Sequence, residues 1–223
     1  MQMPQPEIPP TESAEPAGTA RIAGLVLAAG AGTRYGLPKA LVRDSAGRSW
    51  LRNAVDVLTA SGCSPVIVVL GARGAEAAAL LEAGENGPSA SVLVVQAADW
   101  ADGLSASLRA GLRCALAQPG VETIAIIPVD VPDLNAATVS RVIGARVIGT
   151  RMIGAITAST LRQARFAGKP GHPVVIGRAH WAALIETAAG DTGAGAYLRA
   201  HEVEAVECGD LSSGRDVDTA PAR

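Results

Sequence analysis

The sequence predicts a single α/β domain whose mostly parallel sheet is covered by helices on both faces. Short apolar runs alternate with segments of helical periodicity along the chain, which is the order found in parallel-sheet proteins. The apolar runs contain few polar positions, as expected for strands buried on both sides. With 223 residues, of which 48% are hydrophobic and 18% charged, the chain is long and apolar enough to form one large core.

The predicted elements follow one another in a regular order. Ser49 precedes a helical pattern and is a predicted N-cap, and the spacing of Leu104, Leu108 and Leu112 marks one face of a second helix. Strands are predicted at residues 22–28, 65–70, 91–95, 123–127, 154–158, 174–176 and 203–206. Helices are predicted at residues 50–60, 74–83, 104–117, 135–145, 178–188 and 194–200. This order is that of a Rossmann-like domain, in which ligands bind beyond the carboxyl ends of the strands.

The ends of the chain and its cysteines add to this prediction. Residues 1–20 include five prolines, and such a polar, proline-rich segment is predicted to be a disordered leader before a domain at residues 21–223. The three cysteines, Cys63, Cys114 and Cys208, are odd in number and far apart. Their spacing matches neither a disulfide framework nor a cysteine-rich metal site. Because free cysteines are typical of reducing compartments, a cytoplasmic location is expected.

Composition excludes two kinds of partner. The net charge is −2, which gives no overall attraction to nucleic acid or to an anionic membrane. Aromatic residues make up 3% of the chain, so stacking platforms for bases are scarce. No apolar run approaches the roughly 20 residues of a membrane span. We therefore expect neither a nucleic acid nor a membrane as a partner.

A glycine-rich segment, LVLAAGAGTRYGLPK, follows the first predicted strand. It is not a dinucleotide fingerprint, because Tyr35 stands where the third glycine belongs, and it is not a Walker loop, because Lys39 does not directly follow a glycine. Small residues still let the backbone approach a ligand and bind an anion through N–H groups. Arg34 adds a bidentate charge and Lys39 a compact one. From these residues alone, a flexible turn with two solvated cations remains the alternative to a phosphate site.

The same segment resembles the signature loop of the MobA-like nucleotidyltransferases, written loosely as LAAGxGxRxGxPKxL, and matches each fixed position through Leu41. The resemblance implies a fold like that of the nucleotide-diphospho-sugar transferases, with the loop wrapped around a nucleoside triphosphate. It implies catalytic roles for Arg34 and Lys39, which neutralise the phosphates as pyrophosphate leaves. The nucleotide-binding residues that it implies are Leu27, Ala28, Ala29, Gly30, Ala31, Gly32, Thr33, Arg34 and Lys39.

An acidic turn follows the predicted strand at residues 123–127. Mg²⁺ binds carboxylate and phosphate oxygens and usually takes one or two protein carboxylates, so Asp130 is a candidate ligand. Asp133 precedes a predicted helix and is interpreted as a turn or capping residue, and by position alone Asp130 has the same alternative. The resemblance implies that Asp130, in the DxP turn of the family, binds Mg²⁺ and is catalytic.

A second metal ligand is implied near the C-terminus. The family carries an IDTP-like segment there, and Asp218 is the matching residue. The proline that follows threonine in the family is replaced by Ala220 after Thr219. A solvated aspartate therefore remains the alternative for Asp218.

Three further segments resemble family elements around the acceptor. Residues 100–112 match WxxGxxxSLRxGL at a predicted helix N-terminus, which favours anions. Residues 166–174 resemble the GxxGHPV turn of cytidylyltransferases that act on the molybdenum cofactor. Residues 190–193 resemble GDxGA, where Asp191 is predicted to cap the short helix that follows, with contact to the acceptor as the alternative. The implied acceptor-binding residues are Asp102, Gly103, Ser105, Lys169 and His172, with helix capping and a structural histidine as the alternatives.

Together these resemblances, from about Arg21 to Thr219, imply a cytidylyltransferase. The implied reaction joins CTP to a molybdopterin-type cofactor and releases pyrophosphate, and a molybdenum enzyme that receives the product is a candidate partner. A guanylyltransferase on the same acceptor and a sugar-phosphate nucleotidyltransferase are the alternatives within the fold. A non-catalytic nucleotide-binding chaperone is the alternative of another class, and the intact Arg34, Lys39 and Asp130 argue against it.

Overall fold

The computed structural model describes residues 21–82, 92–144, 146–148 and 151–219, and the predicted leader lies outside these residues. The strands are β1 Arg21–Ala28, β2 Val66–Leu70, β3 Val92–Gln96, β4 Val121–Pro128, β5 Arg146–Ile148, β6 Arg151–Ile153, β7 Leu161–Phe166, β8 Lys169–Gly177 and β9 Glu204–Glu207. The α-helices are α1 Trp50–Ala60, α2 Gly74–Glu82, α3 Leu104–Leu116, α4 Ala136–Ile143, α5 Trp181–Thr187 and α6 Gly195–Arg199.

Seven strands form one sheet in the order β3-β2-β1-β4-β8-β7-β9, and β5 and β6 form a separate antiparallel pair. The strand pairs β1–β2, β1–β4, β2–β3 and β7–β9 are parallel. The exception is β8, which is antiparallel to both β4 and β7. The predicted mostly parallel sheet is thus confirmed, and its antiparallel strand brings the start of β8 to the edge where β4 and β7 end.

Helices cover both faces of the sheet, as predicted. Val26 of β1 belongs to the core under α1, α2 and α4, whereas its neighbour Leu25 belongs to the core under α3 and α5. Helix α3 lies close to the sheet at Gly111, where an added methyl carbon would come within 2.5 Å of a Leu25 methyl. None of the helices in the described part of the chain is both long and apolar enough to cross a membrane.

Several predicted elements are confirmed and one is wrong. The Ser49 side chain accepts a hydrogen bond from Arg52 N and caps α1, as expected. Residues 154–158 do not form the predicted strand. They lead into a turn in which Thr160 N donates to Thr157 O at 3.0 Å. The strand of this region is β7, and β8 is longer than the predicted residues 174–176.

Strand β7 escapes prediction because polar residues interrupt its apolar pattern. Gln163 and Arg165 are half-buried, and Arg162 is buried outright with a side chain that is 2% exposed. The Arg162 guanidinium donates to the carbonyl oxygens of Val142 at 2.8 Å and Gly154 at 3.0 Å. It therefore ties the end of α4 to the segment that follows the β5–β6 pair.

The same guanidinium donates to Glu204 of β9 at 2.9 Å. We expect Arg162→Ala to lower the free energy of unfolding by about 3 kcal/mol, because buried carbonyls lose their donor at about 1–3 kcal/mol each. Glu204→Gln is the matched control, and because its side chain is 41% exposed it should cost about 1 kcal/mol or less. Urea unfolding of both variants measures the difference. Equal losses would show that the ion pair, and not the bonds to carbonyls, stabilises this region.

Candidate functional site

A cleft of about 1000 Å³ opens where β1, β4 and β7 end and β8 begins. This is the carboxyl edge of the parallel strands, where ligands are expected in an open α/β sheet. The residues predicted to bind the nucleotide all line it, namely Leu27, Ala28, Ala29, Gly30, Ala31, Gly32, Thr33, Arg34 and Lys39. Its lining also includes Asp130 and Asp218.

The loop after β1 is a compact turn closed by glycine. Gly32 has a φ of +61°, and a side chain there would collide with the backbone of Leu37. Its carbonyl accepts from Tyr35 N at 3.0 Å and Gly36 N at 2.8 Å. After this turn, a short 3₁₀ segment, Lys39–Leu41, begins directly behind Pro38. The glycine and the proline thus fix the direction in which the chain presents Lys39.

Lys39 lies at the centre of a charged cluster. Its Nζ donates to Asp130 Oδ2 at 2.7 Å and to Asp218 Oδ1 at 2.9 Å. Arg34 Nη1 donates to the other oxygen of Asp218 at 3.2 Å. Lys39 has a side chain only 14% exposed, whereas that of Arg34 is 77% exposed. The structure therefore brings together the four residues that the sequence predicted for catalysis and metal binding.

Backbone contacts hold the two aspartates in place. Val129 N donates to Leu27 O at 3.1 Å, which fixes the turn after β4 beside β1. Val217 N donates to Asp130 O at 2.9 Å, which brings the neighbouring Asp218 to the same turn. Asp218 thus reaches the cleft because the C-terminal segment is bonded to the end of β4.

The carboxylate of Asp133 also holds the C-terminal segment. It accepts from Ser213 N at 2.7 Å. The N-cap of α4 is instead Asn135, whose side chain accepts from Thr138 N at 3.0 Å. Asp133 thus lies in a turn, as one of its two predicted roles required. The other role, that of a helix cap, is wrong, because Asn135 stands directly before the helix.

The cluster changes the pKa values of its members. Burial alone would lower the pKa of Lys39, but the hydrogen bonds to Asp130 and Asp218 more than offset it and the pKa is raised. The hydrogen bond from Lys39 is the main reason that the pKa of Asp218 is lowered, and the charge of Arg34 contributes less. At neutral pH Lys39 therefore carries a full positive charge beside the ionised carboxylate of Asp218.

Of the residues predicted to bind the acceptor, Gly103 and His172 line the cleft. Burial lowers the pKa of His172, against the opposing charges of Asp130 and Asp216. At neutral pH this imidazole is therefore uncharged and offers one donor and one acceptor. The remaining three, Asp102, Ser105 and Lys169, are not part of the lining. Ser105 is fully buried in α3, whereas the side chains of Asp102 and Lys169 are exposed.

The predicted cap at Asp191 has a different target. Asp191 Oδ1 accepts from Leu104 N at 3.4 Å, so it lies at the N-terminus of α3 and not at the following α6. Gly103, with a φ of +106°, leaves room for this approach, because an added methyl carbon there would lie 2.5 Å from the same oxygen. A contact across 87 positions of sequence leaves no local pattern from which it could be predicted.

Sequence reasoning also missed part of the lining. Gln163 and Arg165, two positions apart on β7, face the cleft, as do Arg199, His201 and Asp216. The spacing of two on one face of a strand was the available signal for Gln163 and Arg165. This spacing is not interpreted as a strand when the strand of the region is predicted at residues 154–158.

The carboxylates of the cluster suit one class of metal ion. Across residues 21–82, 92–144, 146–148 and 151–219, no group of three or more His, Cys, Asp or Glu residues is placed to hold a metal. Zinc sites with three or four protein ligands are therefore not matched there. Asp130 and Asp218 face one point, that of the Lys39 ammonium. Mg²⁺ is commonly held by one or two carboxylates with water and substrate phosphates, and this pair fits it.

Most of the chain is similar to known proteins. The family model of the MobA-like NTP transferase domain matches residues 24–206. The chain belongs to the MobA-like NTP transferase family. The matched span includes the whole glycine-rich loop, Asp130 and strands β2 to β8, so it covers most of the residues that line the cleft.

Relatives of this MobA-like chain carry different descriptions. Nicotine blue oxidoreductase of Paenarthrobacter nicotinovorans is 34% identical over 201 residues, which are 89% of this chain and 92% of that protein. The crystal structure of Rv0371c from Mycobacterium tuberculosis H37Rv has a TM-score of 0.65 and 30% identity, covering 89% of this chain and 94% of the other. A structure of Rv0371c in complex with manganese has a TM-score of 0.60 and 27% identity, covering 84% and 88%.

The charge cluster of this MobA-like chain is open to a direct test. In Lys39→Met we expect the pKa of Asp218 to rise, because its shortest hydrogen bond is lost. Arg34→Met should raise it less, since that contact is longer and more exposed. Titration of the carboxyl carbon resonances by NMR measures both. Because folding lowers the pKa of Asp218, its stabilising effect is present at neutral pH and lost as the pH falls through the lowered pKa. An unchanged pKa in Lys39→Met would contradict the described contact.

Proposed function

We propose that this MobA-like NTP transferase transfers CMP from CTP to the terminal phosphate of a molybdopterin-type acceptor and releases pyrophosphate. The observation that carries the proposal is the contact of Lys39 with both Asp130 and Asp218. It joins the phosphate-binding loop to the two candidate metal carboxylates at one point of the cleft. A lysine, an arginine and a metal ion held by carboxylates are groups that stabilise the charge of a transferring phosphoryl group.

The loop would bind the triphosphate and orient it. Its small residues expose backbone N–H groups to the cleft, and glycines allow a ligand to approach them closely. Lys39 and Arg34 supply positive charge where negative charge develops on the departing pyrophosphate. An acceptor phosphate is already an anionic nucleophile, so its attack on the α-phosphorus of CTP requires no general base. The uncharged His172 lines the cleft and could donate or accept a hydrogen bond to a bound ligand.

We include Mg²⁺ in the proposal, held by Asp130 and Asp218. When bound there, the ion would neutralise charge on the triphosphate. The manganese in the related M. tuberculosis structure supports a divalent cation in proteins of this kind. Transfer of the product to a molybdenum enzyme and a cytoplasmic location complete the proposal, and the free thiols of Cys63, Cys114 and Cys208 fit a reducing compartment.

A second candidate function is reduction of a coloured organic substrate, because a relative that is 34% identical is named nicotine blue oxidoreductase. The charged cluster favours the transferase, since hydride transfer has no need of two carboxylates beside an ammonium. Parallel assays separate the two: pyrophosphate release from CTP plus molybdopterin, and NADPH oxidation with nicotine blue. Pyrophosphate release without NADPH consumption supports the transferase. NADPH consumption alone would overturn it, and neither activity would favour a non-catalytic binding protein.

The metal site leads to a prediction with two readouts. Asp130→Asn keeps the size of the side chain but removes the charge that would hold the ion. We expect pyrophosphate release to fall by about 10²–10³-fold, the usual effect of losing one preorganised electrostatic group. The affinity for Mn²⁺, measured by electron paramagnetic resonance, should fall as well. Asp56→Asn, on the exposed side of α1, is the control and should change neither. Full turnover in chelator-treated protein would rule out the divalent cation.

The choice of base leads to a prediction centred on Ala29. This residue lines the cleft where β1 passes into the loop, and it is 3% exposed. In this proposal its methyl group would narrow the part of the cleft that holds the base, which would suit a pyrimidine better than a purine. We expect kcat/KM to favour CTP over GTP by about 10- to 200-fold, the range for one methyl group in a size-selective pocket. Ala29→Gly should reduce the ratio without reversing it.

Ala31→Gly, in the same loop, is the matched control and should keep the ratio. The measurement is kcat/KM for CTP and for GTP with the same acceptor. A preference for GTP in the wild type would contradict the cytidylyl assignment and leave nucleotidyl transfer intact.

A further inference from the structure

The cleft extends beyond the cluster toward β8 and β7. Across the sheet edge, β1 and its loop are followed by β4 with Asp130, then by the start of β8, then by the end of β7. Gly171 and His172 of β8 and Arg165 of β7 line this part of the cleft. Because neighbouring strands lie about 4.8 Å apart, β7 is roughly 10 Å from β4. The cleft therefore has a second arm, between β7 and β8, on the side away from the nucleotide loop.

Arg165 is the cationic residue of this arm, and its guanidinium is incompletely bonded. Nη1 donates to Gly168 O at 3.0 Å. Nε is buried and has no hydrogen-bond partner within the described part of the chain. Leaving a buried donor unpaired costs about 1–3 kcal/mol, and native proteins rarely tolerate this without a ligand or a role. Because Arg165 lines the cleft, a small movement of its side chain toward a ligand would give this donor a partner.

The charges around Arg165 differ from those around Arg34 and Lys39. Arg34 and Lys39 each contact a carboxylate. Among the residues that the structure describes, no ion pair joins Arg165 to a carboxylate, although Asp216 also lines the cleft. Within the described ranges, its positive charge is thus not neutralised by a carboxylate.

The strand holds Arg165 rigidly. Arg165 O accepts from Cys208 N at 2.7 Å, which bonds its backbone to the end of β9. Two residues earlier, Gln163 Nε2 donates to Gly171 O at 3.2 Å and links the same face of β7 to β8. Between them, Ala164 points to the opposite, buried side. Gln163 and Arg165 therefore form a fixed polar wall of the arm, one strand beyond His172.

We propose that Arg165 binds the phosphate group of the acceptor. The identity of the acceptor rests on the proposed function. A phosphate ester that attacks the α-phosphorus must approach another polyanion, and Arg34 and Lys39 lie on the nucleotide side of the cleft. A guanidinium in the second arm offsets this repulsion from the other side. Its planar fork matches phosphate geometry, which an ammonium does not. Arg165 is thus a residue that determines specificity for a phosphorylated acceptor.

The first test separates the two halves of the cleft. Arg165→Gln removes the charge and the fork, and we expect the KM for molybdopterin to rise by about 10- to 100-fold, the usual effect of losing a charge-assisted hydrogen bond. The KM for CTP should change by less than about twofold, and Arg165→Lys should recover part of the loss. Arg199→Gln is the matched comparison, because Arg199 also lines the cleft but is exposed at the end of α6.

Two outcomes of these kinetics would overturn the assignment. One is an equal rise in KM for molybdopterin in Arg199→Gln, which would mean that the overall charge of the cleft matters and not Arg165. The other is a parallel rise in the KM values for CTP and molybdopterin in Arg165→Gln, which would place Arg165 in the nucleotide half.

A binding experiment decides the inference even if CMP transfer is absent. Methyl phosphate is titrated into the wild-type protein while the arginine Nε–H resonances are followed by NMR, with the α,β-methylene analogue of CTP present to fill the nucleotide half. We expect the Arg165 resonance to shift with saturation and methyl phosphate to bind about tenfold more weakly to Arg165→Gln. An Arg165 resonance that does not move overturns the inference. A shift together with no CMP transfer would support it and reject the proposed acceptor.

Discussion

The site depends on one interaction, the ammonium of Lys39 held between the carboxylates of Asp130 and Asp218. Three separate parts of the chain meet there: the loop after β1, the turn after β4 and the segment after β9. Two carboxylates that contact the same ammonium lie close enough to repel each other if the cation is removed. Burial of the lysine would in turn be costly without the two carboxylates. The loop, the turn and the C-terminal segment therefore stabilise one another through charge, and the cleft takes its shape from their meeting.

The sequence was enough to predict what is encoded locally. The glycine-rich loop, the turn at Asp130 and the order of strands β1 to β4 each lie in one continuous stretch, so apolar periodicity and motif spacing locate them. Strand β7 was missed because its buried Arg162 is satisfied by distant carbonyl groups, which no periodicity shows. Ser105 is predicted to bind the acceptor but is buried in the structure. The sequence of a helix N-terminus does not reveal which side of the helix faces the sheet.

Family membership and chemistry are separate questions for this chain. The same scaffold is found in a protein named as an oxidoreductase and in one solved with manganese, and folds of this class carry unrelated reactions at the same edge. What decides between them is the set of side chains that the edge presents. Here that set contains an ammonium, three guanidinium groups and paired carboxylates, and phosphate is the common ligand chemistry that they match.

The hydrogen bond from Val217 N to Asp130 O has a consequence for the folding of the protein during its synthesis on the ribosome. Asp218 follows Lys39 by 179 positions, and it is brought to the turn after β4 by a segment made after every strand of the sheet. The glycine-rich loop leaves the ribosomal exit tunnel early. Lys39 cannot form its hydrogen bond to Asp218 until the C-terminal segment has emerged as well. During synthesis the nascent chain thus has the glycine-rich loop and Asp130 before it can form the complete charge cluster.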